Sequence, residues 1–220
     1  MKRVLVATPT LDGKLDVWYT ISLIETLRHE SSINYEIYPI FFSYDSLIQR
    51  SRNGAVKIAL ENDFDFLFFI DSDVEWSPSD FYKILEHEED IVAGSLIKKD
   101  LENEDYTIKI LNKTLVTNEN LSLIDAEAVG TGFLKMSKRA LQTLWEISPS
   151  YTSLEQEFRM IFNVGIDDDG TLISEDYFMC KKWKSIGEKV WVDPKVNCNH
   201  VGTIKFFGNF EEFLDKNNFK

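Results

Sequence analysis

Asp71 and Asp73, one small residue apart, close the apolar run Phe66-Leu67-Phe68-Phe69-Ile70. In an extended chain that spacing turns both carboxylates to the same side. Two hard oxygen donors so placed suit Mn²⁺ or Mg²⁺ carrying a phosphate-rich ligand. In a chain with 37 Asp and Glu residues, the same pair is equally compatible with a solvated acidic turn, so the rest of the sequence must decide. A second acidic pair, Glu175-Asp176, follows Ser174 at the start of a helical pattern. Acids there complement the helix dipole by about 0.3–1 kcal/mol even without any chemistry. His200 lies late in the chain, with Gly202 and Lys205 just beyond it. Arg50 and Arg52 are nearby cations, for either of which a surface ion pair worth little is an even alternative to a functional contact. Gly130-Thr131-Gly132 lets the backbone approach a ligand closely, or simply bends between strands.

The elements that must hold these residues follow from the hydrophobic pattern. The run ending at Ile70 is too short for a soluble helix and reads as a strand buried on both faces. In an open α/β sheet, ligands collect beyond the carboxyl ends of such strands. Val4 to Ala7 predicts a first strand ended by Thr8-Pro9-Thr10, and Val17, Ile21, Ile24 and Leu27 give the core stripe of a helix. Tyr35 to Phe42 predicts a strand, with Ser46 capping a helix that runs to about Asn62. Ser77-Pro78 opens a third helix, followed by a strand at Ile91 to Ala93. Three alternations of strand and helix call for a mostly parallel sheet with helices on both faces.

After Gly94 the rhythm changes. Thr107 to Val116 and Leu121 to Val129 alternate like an antiparallel hairpin, turning at residues 117–120. A helix follows from Ser137 to about Ile147, residues 148–173 lack regular pattern, a helix runs from Ser174 to about Ile186, and Val190 to Val192 predicts a short strand. Nothing resembles a linker, so residues 1–220 are expected to form one α/β domain, a nucleotide-binding half (1–95) followed by a mixed half (96–220).

Composition narrows the partners. Net charge is −13, which repels nucleic acid and anionic lipid, and no basic stretch interleaved with aromatics relieves it. Cys180 and Cys198 are too few for a disulfide framework and lack zinc spacing, which suits buried thiols in a reducing compartment. No apolar stretch is long enough to span a membrane, and the first residues read as a strand rather than a signal peptide. A cytoplasmic location is expected, host cytoplasm if the source is viral.

Taken in order, the strand-end Asp71-Ser72-Asp73, the Gly130-Thr131-Gly132 strand, Ser174-Glu175-Asp176-Tyr177-Phe178 and His200-Val201-Gly202-Thr203 resemble the nucleotide-sugar glycosyltransferases of GT-A fold. The likeness is to the small family-2-like, viral or phage-type members, and it covers nearly the whole chain. It implies transfer of a sugar from a nucleoside diphosphate sugar, UDP- or GDP-linked, to a saccharide or other hydroxyl acceptor, with Mn²⁺ or Mg²⁺ as cofactor. Asp73 would ligate the cation, Asp71 would sit near the ribose or metal waters, and His200 would complete the metal site. Asp176 would be the general base of an inverting reaction, partnered by Glu175. Thr8, Pro9 and Thr10, with Ser72, would seat base and ribose, Arg52 would bond base or phosphate, and Gly130, Thr131 and Gly132 would approach the donor sugar. Lys205 would reach the diphosphate, although its spacing from His200 is one residue short of the family's best-known pattern. Trp76 is the candidate sugar-stacking face. Two rival readings are a sugar-phosphate nucleotidylyltransferase, for which the Thr8 to Lys14 loop is poor in glycine and base, and a non-catalytic nucleotide-sugar binding module.

Overall fold

The computed structural model describes residues 1–220 except Leu121 and Leu154. The elements run β1 (Lys2–Thr10), α1 (Val17–Arg28), β2 (Tyr35–Ser43), α2 (Ile48–Glu61), β3 (Phe66–Ile70), β4 (Val74–Glu75), α3 (Pro78–Glu86) and β5 (Ile91–Leu96). The second half adds β6 (Ile108–Lys109), β7 (Ile124–Ala126), β8 (Ala128–Val129), β9 (Phe133–Ser137), α4 (Lys138–Ile147), β10 (Ser150–Ser153), β11 (Gln156–Arg159), β12 (Gly165–Ile166) and β13 (Leu172–Ile173). It ends with α5 (Glu175–Lys184), β14 (Val190–Val201), β15 (Lys205–Phe206) and α6 (Phe210–Lys216).

The central sheet has the order β15-β14-β5-β9-β3-β1-β2. β2, β1 and β3 run parallel, as do β5 and β14, while β9 lies antiparallel between β3 and β5. This is the expected α/β class, a mostly parallel sheet with an antiparallel part contributed by the second half. Successive side chains of β1 and β3 enter opposite layers. Leu5, Ala7, Leu67 and Phe69 pack beneath α2, α4, α5 and α6, whereas Val4, Val6, Phe68 and Ile70 pack with Tyr19 of α1 and Phe81 of α3. β3 is therefore buried on both faces, as its composition predicts.

Several boundaries differ from expectation, each for a local reason. Pro9 does not end β1, because β2 continues its ladder through Thr10. Leu47, not Ser46, is the N-cap residue of α2. The long hairpin does not form as one ladder: Ile108–Lys109 pairs with Ala128–Val129, but Ile124–Ala126 pairs with β14 instead. The start of its second arm, Leu121, lies outside the described residues. The irregular 148–173 stretch contains two short hairpins, β10–β11 and β12–β13. β14 runs twelve residues rather than three, because a register shift between Asp193 and Asn197 absorbs Pro194 and lets pairing with β5 resume.

The largest departure is the orientation of α1. Its apolar stripe, Val17, Ile21, Ile24 and Leu27, is exposed, and Tyr19, Ser22, Leu23 and Thr26 face inward. Polar groups fix this rotation around Trp76. The Trp76 amide donates to Ser22 Oγ at 3.1 Å, its indole donates to Thr26 Oγ1 at 2.9 Å, and the Tyr82 hydroxyl donates to the Thr26 carbonyl at 2.7 Å. Turning the stripe inward would leave these buried groups unpaired, a cost of about 1–3 kcal/mol each. The indole of Trp76 is consequently buried beneath α1 and presents no face to a sugar.

Lys135 on β9 is wholly buried, its ammonium donating to the His87 carbonyl at 2.5 Å. Burial lowers it to about 8, against weaker opposing pulls from Glu89 and Asp90. Between that value and the ordinary lysine value, the folded state sheds a proton that the unfolded chain keeps, so this group makes stability rise with pH over that window. Lys135→Met should flatten the rise by on the order of 2 kcal/mol, measured as urea unfolding free energy at pH 7.5 and pH 10 in both proteins.

Candidate active site

The site forms where β3 stops. Asp71 leaves the sheet with its amide donating to the Gly132 carbonyl at 3.1 Å, and the chain turns so that the Val74 amide donates back to the Asp71 carbonyl at 3.1 Å. The Ser72 carbonyl accepts the Asp16 amide at 2.9 Å, and the Asp73 carbonyl accepts the Val201 amide at 2.7 Å. The Asp71-Ser72-Asp73 backbone is thus held by β9, by the start of α1 and by the end of β14. Pairing of β4 with β14 sets His200 opposite Val74, one residue from Asp73. A residue 127 positions away in sequence therefore meets the motif through a two-residue strand.

His200 Nε2 lies 3.5 Å from Asp73 Oδ1, and His200 Nδ1 is 2.9 Å from the Ile97 carbonyl. A carbonyl can only accept, so Nδ1 carries the proton and Nε2 points at the carboxylate. An imidazole oriented by a carbonyl in this way, with its other nitrogen facing a carboxylate, is the arrangement typical of metal-ligating histidines. Lys99 Nζ contacts the other oxygen, Asp73 Oδ2, at 2.6 Å. Burial would raise the Asp73 carboxyl, but hydrogen bonds and charge from His200 and Lys99 outweigh it and pull the group down to about 2.

Asp71 faces another way. Arg52 of α2, almost fully buried, donates from Nη2 to Asp71 Oδ1 at 3.2 Å and from Nη1 to Glu175 Oε1. Its neighbour Asn53 accepts the Phe162 amide at 2.9 Å and donates to the Phe162 carbonyl at 3.0 Å, anchoring α2 to the segment before β12. Arg52 forms an internal clamp between the two acidic motifs.

Beside Glu175, Asp176 accepts the Tyr177 amide at 2.8 Å and the Ser174 hydroxyl through Oδ1. Ser174 is the N-cap residue of α5, yet its hydroxyl serves Asp176 rather than the helix amides. Gly130 and Gly132 form the floor between the acids. A Cβ on Gly132 would come within 2.4 Å of Leu96 Cδ2 and 3.2 Å of Asp71 Oδ2, and one on Gly130 within 2.9 Å of Thr107. Asp176 Oδ2 lies 3.6 Å from the latter position, an ordinary contact distance, so a side chain at either glycine would first crowd Leu96 or Thr107. Thr131 is buried between them, its Oγ1 without a hydrogen-bond partner among the described residues.

A cleft of about 350 Å³ opens over the motif, lined by Pro9, Thr10, Asp71, Ser72, Asp73 and His200 among others. Thr8 is buried beneath it, its hydroxyl 2.6 Å from that of Tyr19. Burial pushes Tyr19 up to about 12, and the Asp71 charge adds to the rise over the opposing Thr8 bond. Thr10 bonds to Ser43 of β2 at 3.1 Å.

The structure therefore brings Thr10, Pro9, Asp71, Ser72, Asp73 and His200 to one cleft, and joins Glu175, Asp176, Gly130 and Gly132 to it through Arg52 and Asp71. It does not bring Lys205, whose ammonium is held by both Glu75 oxygens at 2.8 and 2.9 Å and lies 3.6 Å above the Trp18 ring. Lys99, Asn53 and Tyr19 carry roles that sequence reasoning did not assign. Among the described residues, no three His, Cys, Asp or Glu side chains are close enough to hold an ion between them. Cations that work on phosphates are commonly held by one or two protein ligands plus the phosphates and water, and the Asp73 and His200 pair meets that description.

No family model and no curated protein sequence matches this chain. Its fold does match solved structures. A197 from STIV aligns over 91% of this chain and 86% of its own, with 18% identity and a TM-score of 0.57. Looser alignments include a glycosyltransferase involved in the glycosylation of the major capsid of PBCV-1, at 13% identity and TM-score 0.35 over 66% of each chain. The inositol-1-phosphate CTP transferase from T. maritima aligns at 12% identity and TM-score 0.42, over 88% of this chain and 85% of its own. The likeness to A197 from STIV shows a shared fold, here an α/β arrangement with a mostly parallel sheet.

Proposed function

We propose that this chain is a glycosyltransferase that moves a sugar from a UDP- or GDP-sugar to an acceptor hydroxyl, with inversion and with Mn²⁺ or Mg²⁺ bound. The observation that carries the reading is the convergence of two acidic motifs around the end of β3. Asp73 with His200 lies on one side, Glu175-Asp176 on the other, and buried Arg52 ties them at fixed spacing. Asp73 and His200 would hold the cation, which when bound acts as a Lewis acid on the diphosphate.

The remaining roles belong to the chain itself. Pro9, Thr10 and Ser72 line the cleft where a base and ribose would rest. Gly130 and Gly132 leave room for the donor sugar against the acids. Asp176 would take the proton of the acceptor hydroxyl as it attacks, because a sugar hydroxyl is a poor nucleophile until that proton is leaving. Glu175, held by Arg52, would orient donor or acceptor. The nucleotidylyltransferase reading finds less support, since the loop after β1 offers only Gly13 and a Lys14 already paired to exposed Asp12 at 2.7 Å.

The test is turnover of UDP- and GDP-sugars with Mn²⁺, followed as release of nucleoside diphosphate. Wild-type protein should release it, and Asp73→Ala should not. Release of pyrophosphate from a nucleoside triphosphate plus sugar phosphate, with no turnover of nucleotide sugars, would refute the assignment.

A further inference from the structure

Lys99 follows β5 in the short segment that also supplies the Ile97 carbonyl to His200. Its neighbour Lys98 turns the opposite way, to Asp105 at 2.6 Å, as alternation in an extended chain requires. The stem of Lys99 runs over Gly202: a Cβ there would sit 3.4 Å from Lys99 Cδ and 3.7 Å from Cε. Its ammonium closes on Asp73 Oδ2 at 2.6 Å, on a carboxylate that lines the cleft, while the Lys99 side chain remains about one-third exposed. One ammonium thus occupies an oxygen that a divalent ion would claim, at the end of a long, partly exposed arm.

We propose that Lys99 is a diphosphate-binding residue that exchanges Asp73 for the donor's phosphate oxygens. This rests on the reading of the cleft as a nucleoside diphosphate site. In the ligand-free protein Lys99 neutralises Asp73. A divalent cation arriving at Asp73 repels the ammonium, and the phosphates that complete the ion's coordination bring anionic oxygens within its reach. The long stem lets it follow them, as a mobile point charge rather than a fixed fork. Lys99 therefore opposes binding of the bare ion and favours binding of the ion with diphosphate. The two effects have opposite signs, which a merely structural lysine would not produce.

Calorimetric titration of Lys99→Met, Lys99→Arg and wild type separates the possibilities, with Mn²⁺ alone and with UDP or GDP at saturating Mn²⁺ as probes. Lys99→Met should weaken diphosphate binding by about tenfold to a hundredfold, the range for loss of one charge-assisted bond. The same variant should bind Mn²⁺ alone severalfold more tightly, and Lys99→Arg should restore most of the diphosphate affinity. Unchanged affinities in Lys99→Met, or a parallel loss of both, would overturn the proposal while leaving the nucleotide site intact. Failure of wild type to bind either diphosphate would overturn the site reading and this proposal together.

Discussion

Asp176→Asn lowers turnover by about 10²–10⁴, the usual contribution of a positioned general base, while the affinity for nucleoside diphosphate and the thermal stability stay close to wild type. The substitution separates chemistry from structure because of how Asp176 is held. Its Oδ1 only accepts, from the Ser174 hydroxyl and the Tyr177 amide, and an asparagine Oδ1 can accept from both, though without the charge that strengthens the carboxylate's bonds. What is removed is the capacity to take a proton, together with a helix-dipole contribution of about 0.3–1 kcal/mol. Steady-state kinetics with saturating donor checks this. A fall in kcat with unchanged donor KM supports the base assignment, whereas a raised KM with unchanged kcat assigns Asp176 to binding.

Arg52→Met destabilises the fold by about 3 kcal/mol, which lowers the melting temperature by roughly 6–12 °C in a chain of this size. Arg52 is nearly fully buried, and its removal strands the Asp71 and Glu175 carboxylates across a shared floor. Breaking a buried pair from one side costs more than the pair contributes, since the charge left behind has no compensation. Asp71 retains some solvent, which keeps the expected loss towards the lower end of the usual range. Glu175→Gln in the Arg52→Met background should recover part of the loss, and a double-mutant cycle by urea denaturation measures how much. Arg52→Lys recovers less than the wild-type pairing, because a single ammonium cannot fork between two carboxylates as a guanidinium does. Independent, additive losses would show that Arg52 does not tie the two motifs together.

The sequence announces the acids and withholds what balances them. Asp71-Ser72-Asp73 after five apolar residues identifies β3, its burial and the acidic turn that ends it, because a strand that short and apolar has no other soluble home. The placement of Glu175-Asp176 at the start of α5 is legible for a similar reason, since Ser174 and two acids make a helix start. The cationic partners are long-range facts. Arg52 lies 123 residues from Glu175 and Lys99 lies 26 from Asp73, and nothing local distinguishes either from a solvated charge. Lys205 shows the converse: the resemblance of the stretch after His200 suggests it despite a spacing one residue short, but the β14–β15 turn delivers it to Glu75 and the Trp18 ring. The rotation of α1 is hidden too, because hydrophobic periodicity scores Val17, Ile21, Ile24 and Leu27 and is blind to the hydrogen bonds that Trp76 makes with Ser22 and Thr26.

Everything functional depends on the cleft at the end of β3 accepting a divalent cation and a nucleoside diphosphate together. Anomalous diffraction from crystals grown with Mn²⁺ and UDP or GDP observes this directly. The expected result is a manganese peak bonded to Asp73 and His200 Nε2, with both phosphates of the nucleotide beside it and the base over Pro9 and Thr10. Nucleotide bound elsewhere, or this cleft filled by the Lys99–Asp73 pair with no metal at saturating Mn²⁺, would contradict the account.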